Sequence, residues 1–463
     1  MTPPEQDLFD QPQVTDFHQF ETDIYRKHQL EAEQEIMRSL TKVLSSIVFI
    51  DLLRRYASAR GYRYEGLRKI SVRLASGTSY PVKSPLFVKA RPKSGRRRKN
   101  RKNVCEHFGL SYLGFDRKDS PVLVERSVTM ATLCPSFEIA CKALEITGTE
   151  LTQNRLRRIA YSLANGMLKD RAQIVVDEAY RDKGLRLLIC VDGGKIRERI
   201  NKKGRRRKGS RMHGFYASWR EPRLITICLV DENGKKLKGV DPIYDGTIAD
   251  HTMVMDLIGR YLEQINVHQA ESITFCADGA QWIWTGVNCL IKDLKLKNVN
   301  RVLDYTHAKQ NLKEIVDLIH QAKGVWKYQY EKTQTKFQTW LWQGDVKAME
   351  AYVNENLKYK REKKAVLKKL REYFGDHEKF QYQQFKAAGI PTGSGMVESA
   401  IRRIINMRIK GCGLFWLEKN AEIMIFLRSQ VLSNRLRHCM KSKLALWRNR
   451  FTESGIRVLR EAA

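Results

Sequence analysis

Three carboxylates that lie far apart in the sequence occupy positions where a folded sheet would bring them together. Asp192 and Asp278 each end a strongly apolar, strand-like run, and a glycine follows each of them. Glu398 lies near the start of a helical pattern, directly after the glycine-rich segment 393–395. Ligands of open α/β sheets bind at the carboxyl ends of strands, and a glycine after an acid lets a phosphate approach closely. We therefore expect the three side chains to meet at one site.

Carboxylates that meet at one site repel one another unless a cation lies between them, and their oxygens suit Mg²⁺ or Mn²⁺. Two such ions about 3.5–4 Å apart can activate a water or a 3′-hydroxyl and stabilise the leaving oxygen of a phosphoryl displacement. The sequence therefore predicts Asp192, Asp278 and Glu398 as catalytic, metal-binding residues. An alternative stays open for each residue alone, because an Asp-Gly pair is typical of a turn and the helix dipole favours an early-helix Glu.

The net charge predicts a polyanionic partner. Lys and Arg total 84 against 51 Asp and Glu, which leaves a formal net charge of +33 in 463 residues. Such an excess repels itself in solution and is typical of proteins that bind DNA or RNA. A ribosome-associated or simply basic protein is the alternative. Apolar residues make up 42% of the chain, which is enough for two or three folded domains.

Basic residues concentrate in segments that we expect to contact DNA phosphates, because such contacts dominate the affinity for nucleic acids. They are the arm 93–102, the segment 202–211 after the first catalytic strand, a helix pattern at 153–163, and the residues after Glu398. A solvated charge run is the alternative for the arm, and a solvated hairpin tip is the alternative for the segment 202–211. The predicted DNA-contacting residues are Arg155, Arg157, Arg158, Lys202, Lys203, Arg205, Arg206, Arg207, Lys208, Arg211, Arg402 and Arg403.

The N-terminal part is predicted to be mainly helical and to bind DNA. The periodicity of residues 31–56 indicates a long helix, whereas the prolines and charges of 76–121 indicate a loop or arm. Residues 135–166 predict two helices separated by Gly148, the second of them capped by Thr152. A helix, a glycine-containing turn and a basic helix are typical of helix-turn-helix modules, although a purely structural hairpin has the same pattern.

From residue 185 onward the pattern predicts a mixed α/β sheet, because its first strands pair antiparallel and its later strands join by crossovers. The predicted elements are, in order, strands at 185–191, 216–230 and 235–240, a helix at 251–265, a strand at 272–277, a further helix and a strand at 300–303. The segment 309–388 has almost no Gly or Pro and interrupts this pattern, so we interpret it as an all-α insertion.

These patterns divide the chain into six parts. They are 1–128, a helical region with a basic arm; 129–180, the helix-turn-helix-like segment; 185–308, the first part of the catalytic core; 309–388, the helical insertion; 389–430, the second part of the core with Glu398; and 431–463, a basic helical tail.

Two motifs carry a resemblance to a known family. Asp304-Tyr-Thr-His307 follows the last core strand, and Gly393-Ser-Gly-Met-Val-Glu398 contains the third acid. Together with the order of elements over about 130–430, they resemble the RNase H-like fold of DDE transposases, among them Mutator-like and related bacterial insertion-sequence transposases. Those families also carry a helical insertion before the catalytic Glu. The paired N-terminal cysteines of some relatives are absent from this sequence.

The resemblance implies a reaction and its partners. Such enzymes hydrolyse double-stranded DNA at transposon ends and use the freed 3′-hydroxyl to attack target DNA, with Mg²⁺ or Mn²⁺ and no covalent protein intermediate. Asp192, Asp278 and Glu398 match the catalytic acids, and a homodimer is expected because two ends must be held. A bacterial, cytoplasmic location at the nucleoid follows. A structure-specific nuclease on the same scaffold and a non-catalytic, transposase-derived DNA-binding protein are the alternatives.

Several residues keep two interpretations each. His307 is a catalytic candidate that can position the scissile phosphate or stabilise the leaving oxygen, or it is a core histidine bonded to the sheet. Asp304 can assist the metal site, orient His307 or cap a helix. Trp282 and Trp284, and likewise Trp416, can stack on an unpaired base or pack in the core.

The remaining features exclude other classes of protein. No apolar run approaches the roughly 20 residues that a bilayer requires, and the acidic, polar start is unlike a signal peptide, so we expect no membrane partner. The nine cysteines form no CxxC pair, and those within apolar strands are expected to be reduced core thiols. A zinc site that uses Cys105 and His107 is a minor alternative.

Overall fold

The computed structural model of the chain describes residues 16–89, 103–174, 176–204, 206, 209, 213–323 and 327–461. It separates into two compact units, one made of Met1–Gly166 with Met440–Ala463 and the other of Met167–Cys439. Each unit has its own buried core, as expected for a chain of this length.

The first unit combines helices with a small antiparallel sheet. Its elements are α1 (Phe17–Ser45), α2 (Ile47–Ser58), β1 (Arg63–Arg73), β2 (Ser79–Lys89), β3 (Val104–Glu106), α3 (Phe108–Tyr112), α4 (Pro121–Leu133), α5 (Phe137–Ile146) and α6 (Gln153–Asn165).

The interpretation of residues 76–121 as a loop or arm is wrong for α3, for β3 and, over the longest stretch, for β2. This strand pairs with β1 along its length and alternates exposed and buried side chains, as a strand over a core does. Its prolines obscured the pattern. In the described residues, β3 pairs only with the end of β2, so Pro81 and Pro85 lie where β2 has one neighbouring strand. A proline is tolerated at such an edge because it has no N–H to donate to a second neighbour. The basic arm 93–102 lies outside the described residues.

A buried carboxylate anchors this sheet to α1. Glu33 of α1 is buried and accepts hydrogen bonds from the Ser76 N–H and hydroxyl, both at 2.7 Å, and from the Tyr80 hydroxyl at 2.9 Å. Burial and the neighbouring Glu33 carboxylate raise the pKa of Tyr80 to about 12. Every acceptor position of this carboxylate that faces the turn is therefore in use.

Replacing Glu33 with Ala should destabilise the first unit by about 2–4 kcal/mol, because the two buried donors of Ser76 and the half-buried Tyr80 hydroxyl lose their partner. Urea-induced unfolding followed by circular dichroism measures the change. Glu35→Ala is the matched control, since the Glu35 side chain is exposed on the same helix, and it should change stability by less than about 0.5 kcal/mol. Equal effects of the two substitutions would contradict the prediction.

The two predicted helices of the helix-turn-helix-like segment are confirmed as α5 and α6. Thr152 caps α6 by accepting a hydrogen bond from the Arg155 N–H, and Gly148 between the helices has a φ of +73°. A third helix, α4, packs against both. Local capping chemistry was sufficient to predict these boundaries.

The second unit contains the predicted α/β region. Its elements are β4 (Arg186–Gly193), β5 (Ile196–Asn201), β6 (Phe215–Arg220), β7 (Arg223–Leu229), β8 (Ile243–Thr247), α7 (His251–Leu262), β9 (Ser272–Ala277), α8 (Gln281–Asp293), β10 (Val299–Leu303), α9 (Tyr305–Lys323), α10 (Lys327–Gln343), α11 (Val346–Asn356), α12 (Lys360–Phe374), α13 (Tyr382–Ala387), α14 (Gly395–Ile401) and α15 (Glu418–Leu432). The last helix, α16 (Leu436–Glu461), contains the division at Met440.

A five-stranded mixed sheet forms the centre of this unit, in the order β10-β9-β4-β7-β8. Strands β10, β9 and β4 run parallel to one another, and β7 runs antiparallel to β4 and β8. One face buries Leu187, Ile189 and Phe275 with residues of α7 and α8. On the opposite face, Met396 of α14 contacts Cys228 of β7. Helices therefore flank both faces of the sheet, which confirms the predicted mixed α/β class.

The third strand of the sheet was predicted at the wrong place. Residues 235–240 form no strand and share only an isolated bridge between Lys236 and Val230. The strand is β8 instead, which is buried throughout and includes the carboxylate of Asp245. That carboxylate accepts a hydrogen bond from the Tyr261 hydroxyl at 2.7 Å and lies 3.5 Å from the buried Arg171 guanidinium. An acid with buried partners made β8 resemble a polar loop in the sequence.

The predicted all-α insertion is confirmed as helices α9 to α13, although its first helix begins four residues before the predicted boundary. Helix α9 starts directly after β10 and packs against α10 and α12. Among the described residues, no helix combines the length and the apolar character that crossing a bilayer requires. The three strand cysteines, Cys190, Cys228 and Cys276, are free and buried, as predicted.

Candidate active site

The first two predicted acids lie side by side at one edge of the sheet. Val191 of β4 pairs in register with Ala277 of the parallel strand β9. The next residue in each strand direction is an acid, so Asp192 and Asp278 lie opposite each other. Adjacent strands lie about 4.8 Å apart. Side chains alternate between faces, so both acids are expected on the face of Cys190 and Cys276, against which α14 packs.

Helix α14 brings Glu398 toward the same edge. It packs on β4 and β7 and carries Glu398 in its first turn with an exposed side chain. The approach is close, since a Cβ added to Gly194 would lie 2.6 Å from Cδ1 of Ile405, just beyond α14. The segment Arg402–Asn406 forms a π-helical turn, a feature that often accompanies functional sites.

The pKa of Asp192 depends on the other predicted residues of the site. Burial raises the pKa of Asp192, and the negative charges of Asp278 and Glu398 raise it further, against lowering by the Gly193 N–H and by His307. Asp278, Glu398 and His307 thus lie near enough to Asp192 for their charges to influence its pKa.

Asp304 connects two parts of this region. It is buried at the end of β10, and its Oδ1 accepts hydrogen bonds from the His307 N–H at 2.9 Å and from Nδ1 of His307 at 3.1 Å. Its Oδ2 accepts a hydrogen bond from the Ser394 N–H at 2.5 Å, at the residue before α14. Asp304 thus both caps α9 and orients His307, and it also holds the loop that precedes Glu398.

The charges in this pair stabilise each other. Burial would raise the pKa of Asp304, but hydrogen bonds from His307 and Ser394 outweigh it and hold this pKa well below its usual range. The hydrogen bond that His307 donates to Asp304 raises the pKa of His307, burial opposes this increase, and the charges of Asp304, Asp192 and Asp278 add to it. The imidazole is 31% exposed, and its Nδ1 bonds to the carboxylate of Asp304, the residue that directly follows β10.

Asp278 is held by its neighbours in the turn that follows β9. Its Oδ1 accepts a hydrogen bond from the Ala280 N–H at 2.9 Å, and its carbonyl oxygen accepts one from Nε1 of Trp284 at 2.8 Å. Trp284 is buried, and so is Trp416, whose Nε1 donates to the Ile409 carbonyl. Trp282 packs against the core below the sheet. The structure therefore supports packing in the core, rather than stacking on a base, for all three tryptophans.

The donor set suits a hard divalent cation, since carboxylate oxygens are the ligands that Mg²⁺ and Mn²⁺ prefer. The raised pKa of Asp192 reflects burial and repulsion that a cation would relieve. Within the described residues, however, no group of three or more His, Cys, Asp or Glu side chains is gathered closely enough to hold a metal ion. Of the two residues of the minor zinc alternative, Cys105 is exposed and Nδ1 of His107 lies 3.2 Å from the Ser84 hydroxyl.

The predicted DNA-contacting residues near this site fall into three groups. Lys202, Lys203 and Arg206 are exposed beyond β5, and Arg402 is exposed after α14. Arg403 is half-buried and donates a hydrogen bond at 2.5 Å to the Tyr244 hydroxyl. Four further members of the basic segment lie outside the described residues: Arg205, Arg207, Lys208 and Arg211.

The predicted role of Arg155 in the first unit requires a correction. Its guanidinium forms an ion pair with the buried Asp119, which also binds Arg73 at 2.9 Å, so it is committed within the fold. The sequence could not indicate this partner, which lies on a different element. Arg157 and Arg158 are exposed on α6, as a DNA-contacting helix requires.

The sequence predicted strand structure within 216–230, but it did not predict β5 or the exposed face of the hairpin that β5 and β6 form after the first catalytic strand. Strand β6 is exposed along its whole length although it contains Phe215, Tyr216 and Trp219. The alternating Arg residues of β5, followed after the basic segment by the aromatic residues of β6, were the signal that could have identified it.

No protein-family model matches this chain, and the search of curated proteins found no significant match.

Proposed function

We propose that this chain is a DDE-type DNA transposase that uses Asp192, Asp278 and Glu398 to cleave DNA strands and to join the freed 3′ end to target DNA. One observation carries the proposal. Asp192 and Asp278 end neighbouring parallel strands at the same level, and the pKa of Asp192 is raised by burial and by the charges of Asp278 and Glu398. Converging carboxylates at the carboxyl edge of a sheet are suited to metal-dependent phosphoryl transfer.

The strand order supports an RNase H-like core. In the five-stranded sheet, β7 alone runs opposite to the other four strands, and the strands lie in the order β10-β9-β4-β7-β8. The first acid ends the first of these strands in the chain, the second acid ends the fourth, and Glu398 follows a helical insertion on a late helix. This arrangement agrees with the resemblance in the motifs around His307 and Glu398.

Each residue of the site has a role in this proposal. Asp192, Asp278 and Glu398 would hold Mg²⁺ or Mn²⁺, which when bound stabilises the charge that develops at the transferring phosphoryl group. His307, whose proton Asp304 helps to retain, donates a hydrogen bond to a phosphate oxygen. Asp304 is a positioning residue, because it orients His307 and fixes the Ser394 loop before α14.

Double-stranded DNA is the proposed substrate, both as transposon ends and as target. The net charge of +33 supports a polyanionic partner. Lys202, Lys203 and Arg402 are exposed on elements that leave the acid-bearing edge, so they are suited to hold phosphates near the site. A homodimer that joins two ends is part of the same proposal, as is a location at the bacterial nucleoid.

DNA flanking the reading frame tests the proposal, with the purified chain incubated in Mg²⁺, Mn²⁺ or EDTA. We expect metal-dependent nicks that leave a 3′-hydroxyl, followed by a product in which this end is joined to target DNA. Asp192→Asn should abolish both products. Asp293→Asn is the matched control, since Asp293 is exposed at the end of α8, and it should cut as the wild type does.

The outcomes separate the proposal from its alternatives. Cleavage without any joined product would favour a structure-specific nuclease on the same scaffold. DNA binding with no metal-dependent cleavage would favour a transposase-derived binding protein. Cleavage that survives Asp192→Asn would remove the carboxylate site from the mechanism.

A further inference from the structure

The hairpin of β5 and β6 extends the sheet beyond the acid-bearing edge. Strand β5 begins at Ile196, four residues after Asp192, and β6 leads back into β7 opposite Gly193. A chain spans at most about 3.6 Å per residue, so the base of the hairpin lies within about 15 Å of the Asp192 backbone. DNA bound at the carboxylates would therefore meet this hairpin.

The two faces of the hairpin differ in charge. Arg197 pairs with Trp219 and Asn201 with Phe215, so side-chain alternation puts these residues and Arg199 on one face. We call it the cationic-aromatic face. The Arg197 guanidinium lies 5.3 Å from the Trp219 ring, and the Arg199 guanidinium lies 4.5 Å from the Phe215 ring.

The opposite face carries the single acidic residue of β5 and β6. Glu198 lies there, 2.9 Å from Arg220, and Arg220 also binds Glu418 at 3.0 Å. Tyr216 belongs to this face and is 61% exposed, with Nζ of Lys202 at 4.5 Å from its ring. Within the described strands β5 and β6, no acidic residue shares the face of Arg197 and Arg199, so the charge of that face is uncompensated by the hairpin itself.

The most exposed part of the cationic-aromatic face is an indole. Trp219 is 58% exposed, whereas the other tryptophans whose side chains the structure describes are buried or half-buried. Phe215 is better supported, because its ring packs 5.2 Å from that of Phe415. Exposing an indole costs hydrophobic free energy, and guanidinium groups beside it attract an anion. Aromatic rings next to Arg are the elements with which proteins bind the bases and phosphates of unpaired nucleic acid.

We propose that the cationic-aromatic face binds unpaired DNA next to the scissile phosphate, with Trp219 stacked on a base and Arg197 and Arg199 on flanking phosphates. An indole can stack only on a base whose face is free, so this contact selects strands that are open at the cleavage site. Cleavage and joining each act on one strand, and a strand that is unpaired at the cleavage site can reach the carboxylates without its complement. This inference rests on the proposed function and adds to it the state of the DNA that the site prefers.

Two forms of the same DNA end test the inference, one fully paired and one with mismatched pairs at the cleavage site. Affinities are measured in EDTA by fluorescence anisotropy with the full chain. Trp219→Ala should weaken binding to the opened DNA about 10-fold, the loss expected for one stacked base, and leave binding to the paired DNA unchanged. Trp219→Phe should restore most of the loss. Arg197→Gln should weaken both and reduce the salt dependence by about one phosphate contact.

Tyr216→Ala is the matched control, since it removes an equally exposed ring from the opposite face of the same strand, and it should bind both DNAs as the wild type does. The inference is overturned if Trp219→Ala and Tyr216→Ala behave alike on opened DNA. Equal losses on paired and opened DNA would overturn it too, in favour of a groove contact. If the wild type cuts DNA while Trp219→Ala has no effect, only the inference fails; if the wild type neither binds nor cuts, the proposed function fails with it.

Discussion

Replacing Glu398 with Gln should lower the rate of DNA strand cleavage about 10³-fold, because a lost metal ligand removes several kcal/mol of transition-state stabilisation. Glu398 is exposed in the first turn of α14, so the substitution should leave folding and DNA binding intact. Cleavage rates under single-turnover conditions, together with anisotropy and thermal unfolding of the same sample, measure the three effects separately.

Two further variants sharpen this result. Glu355→Gln removes an exposed glutamate from α11 and should cleave at the wild-type rate. The Asp192→Asn, Glu398→Gln double variant should be hardly slower than either single variant, because residues that act as one unit are not additive. A double variant whose loss equals the product of the single losses would show that the two carboxylates act independently, against the proposal.

Replacing Asp304 with Asn should lower cleavage about 10²-fold although this carboxylate is not one of the three proposed metal ligands. Loss of an outer partner that orients a site typically costs 10–100-fold. Asp304 accepts hydrogen bonds from both His307 and Ser394, and an amide cannot supply the same charge. The Asn variant keeps the size of the side chain and one acceptor, so it spares the packing that Ala would remove.

The pH dependence distinguishes this role from a purely structural one. Asp304 raises the pKa of His307, so the cationic imidazole persists to higher pH in the wild type. In Asp304→Asn the proton leaves at lower pH, and the fall of activity on the alkaline side should move to lower pH. His307→Gln should remove that fall altogether. A uniform loss of rate with an unchanged pH profile would mean that Asp304 only maintains the fold.

Asp304 should affect activity at alkaline pH, but it should affect the stability of the fold at acidic pH. The pKa of Asp304 is lower in the folded chain than its ordinary value, so the carboxylate stabilises the fold above about pH 4. That contribution is lost as the pH falls toward the folded pKa. As the pH falls below about 4, the free energy of unfolding of the second unit should therefore decrease more steeply in the wild type than in Asp304→Asn.

The sequence by itself determined the elements whose causes are local. Asp250 and Thr152 cap α7 and α6 because a short polar side chain bonds to the backbone three residues ahead. The apolar runs that end at Asp192 and Asp278 become β4 and β9 because only a buried strand satisfies both their hydrophobicity and their length.

Only the tertiary structure decided which polar groups face one another. The partners Arg155 and Asp119, and Asp304 and Ser394, are separated by 36 and 90 residues. Asp245 stays in a buried strand because Tyr261 and Arg171 come from other elements. Pairing between distant segments depends on strand register and helix packing rather than on local preference. Local chemistry could therefore predict that two acids end strands. The influence of Asp278 and Glu398 on the pKa of Asp192, and the exposed aromatic hairpin nearby, arise only in the folded chain.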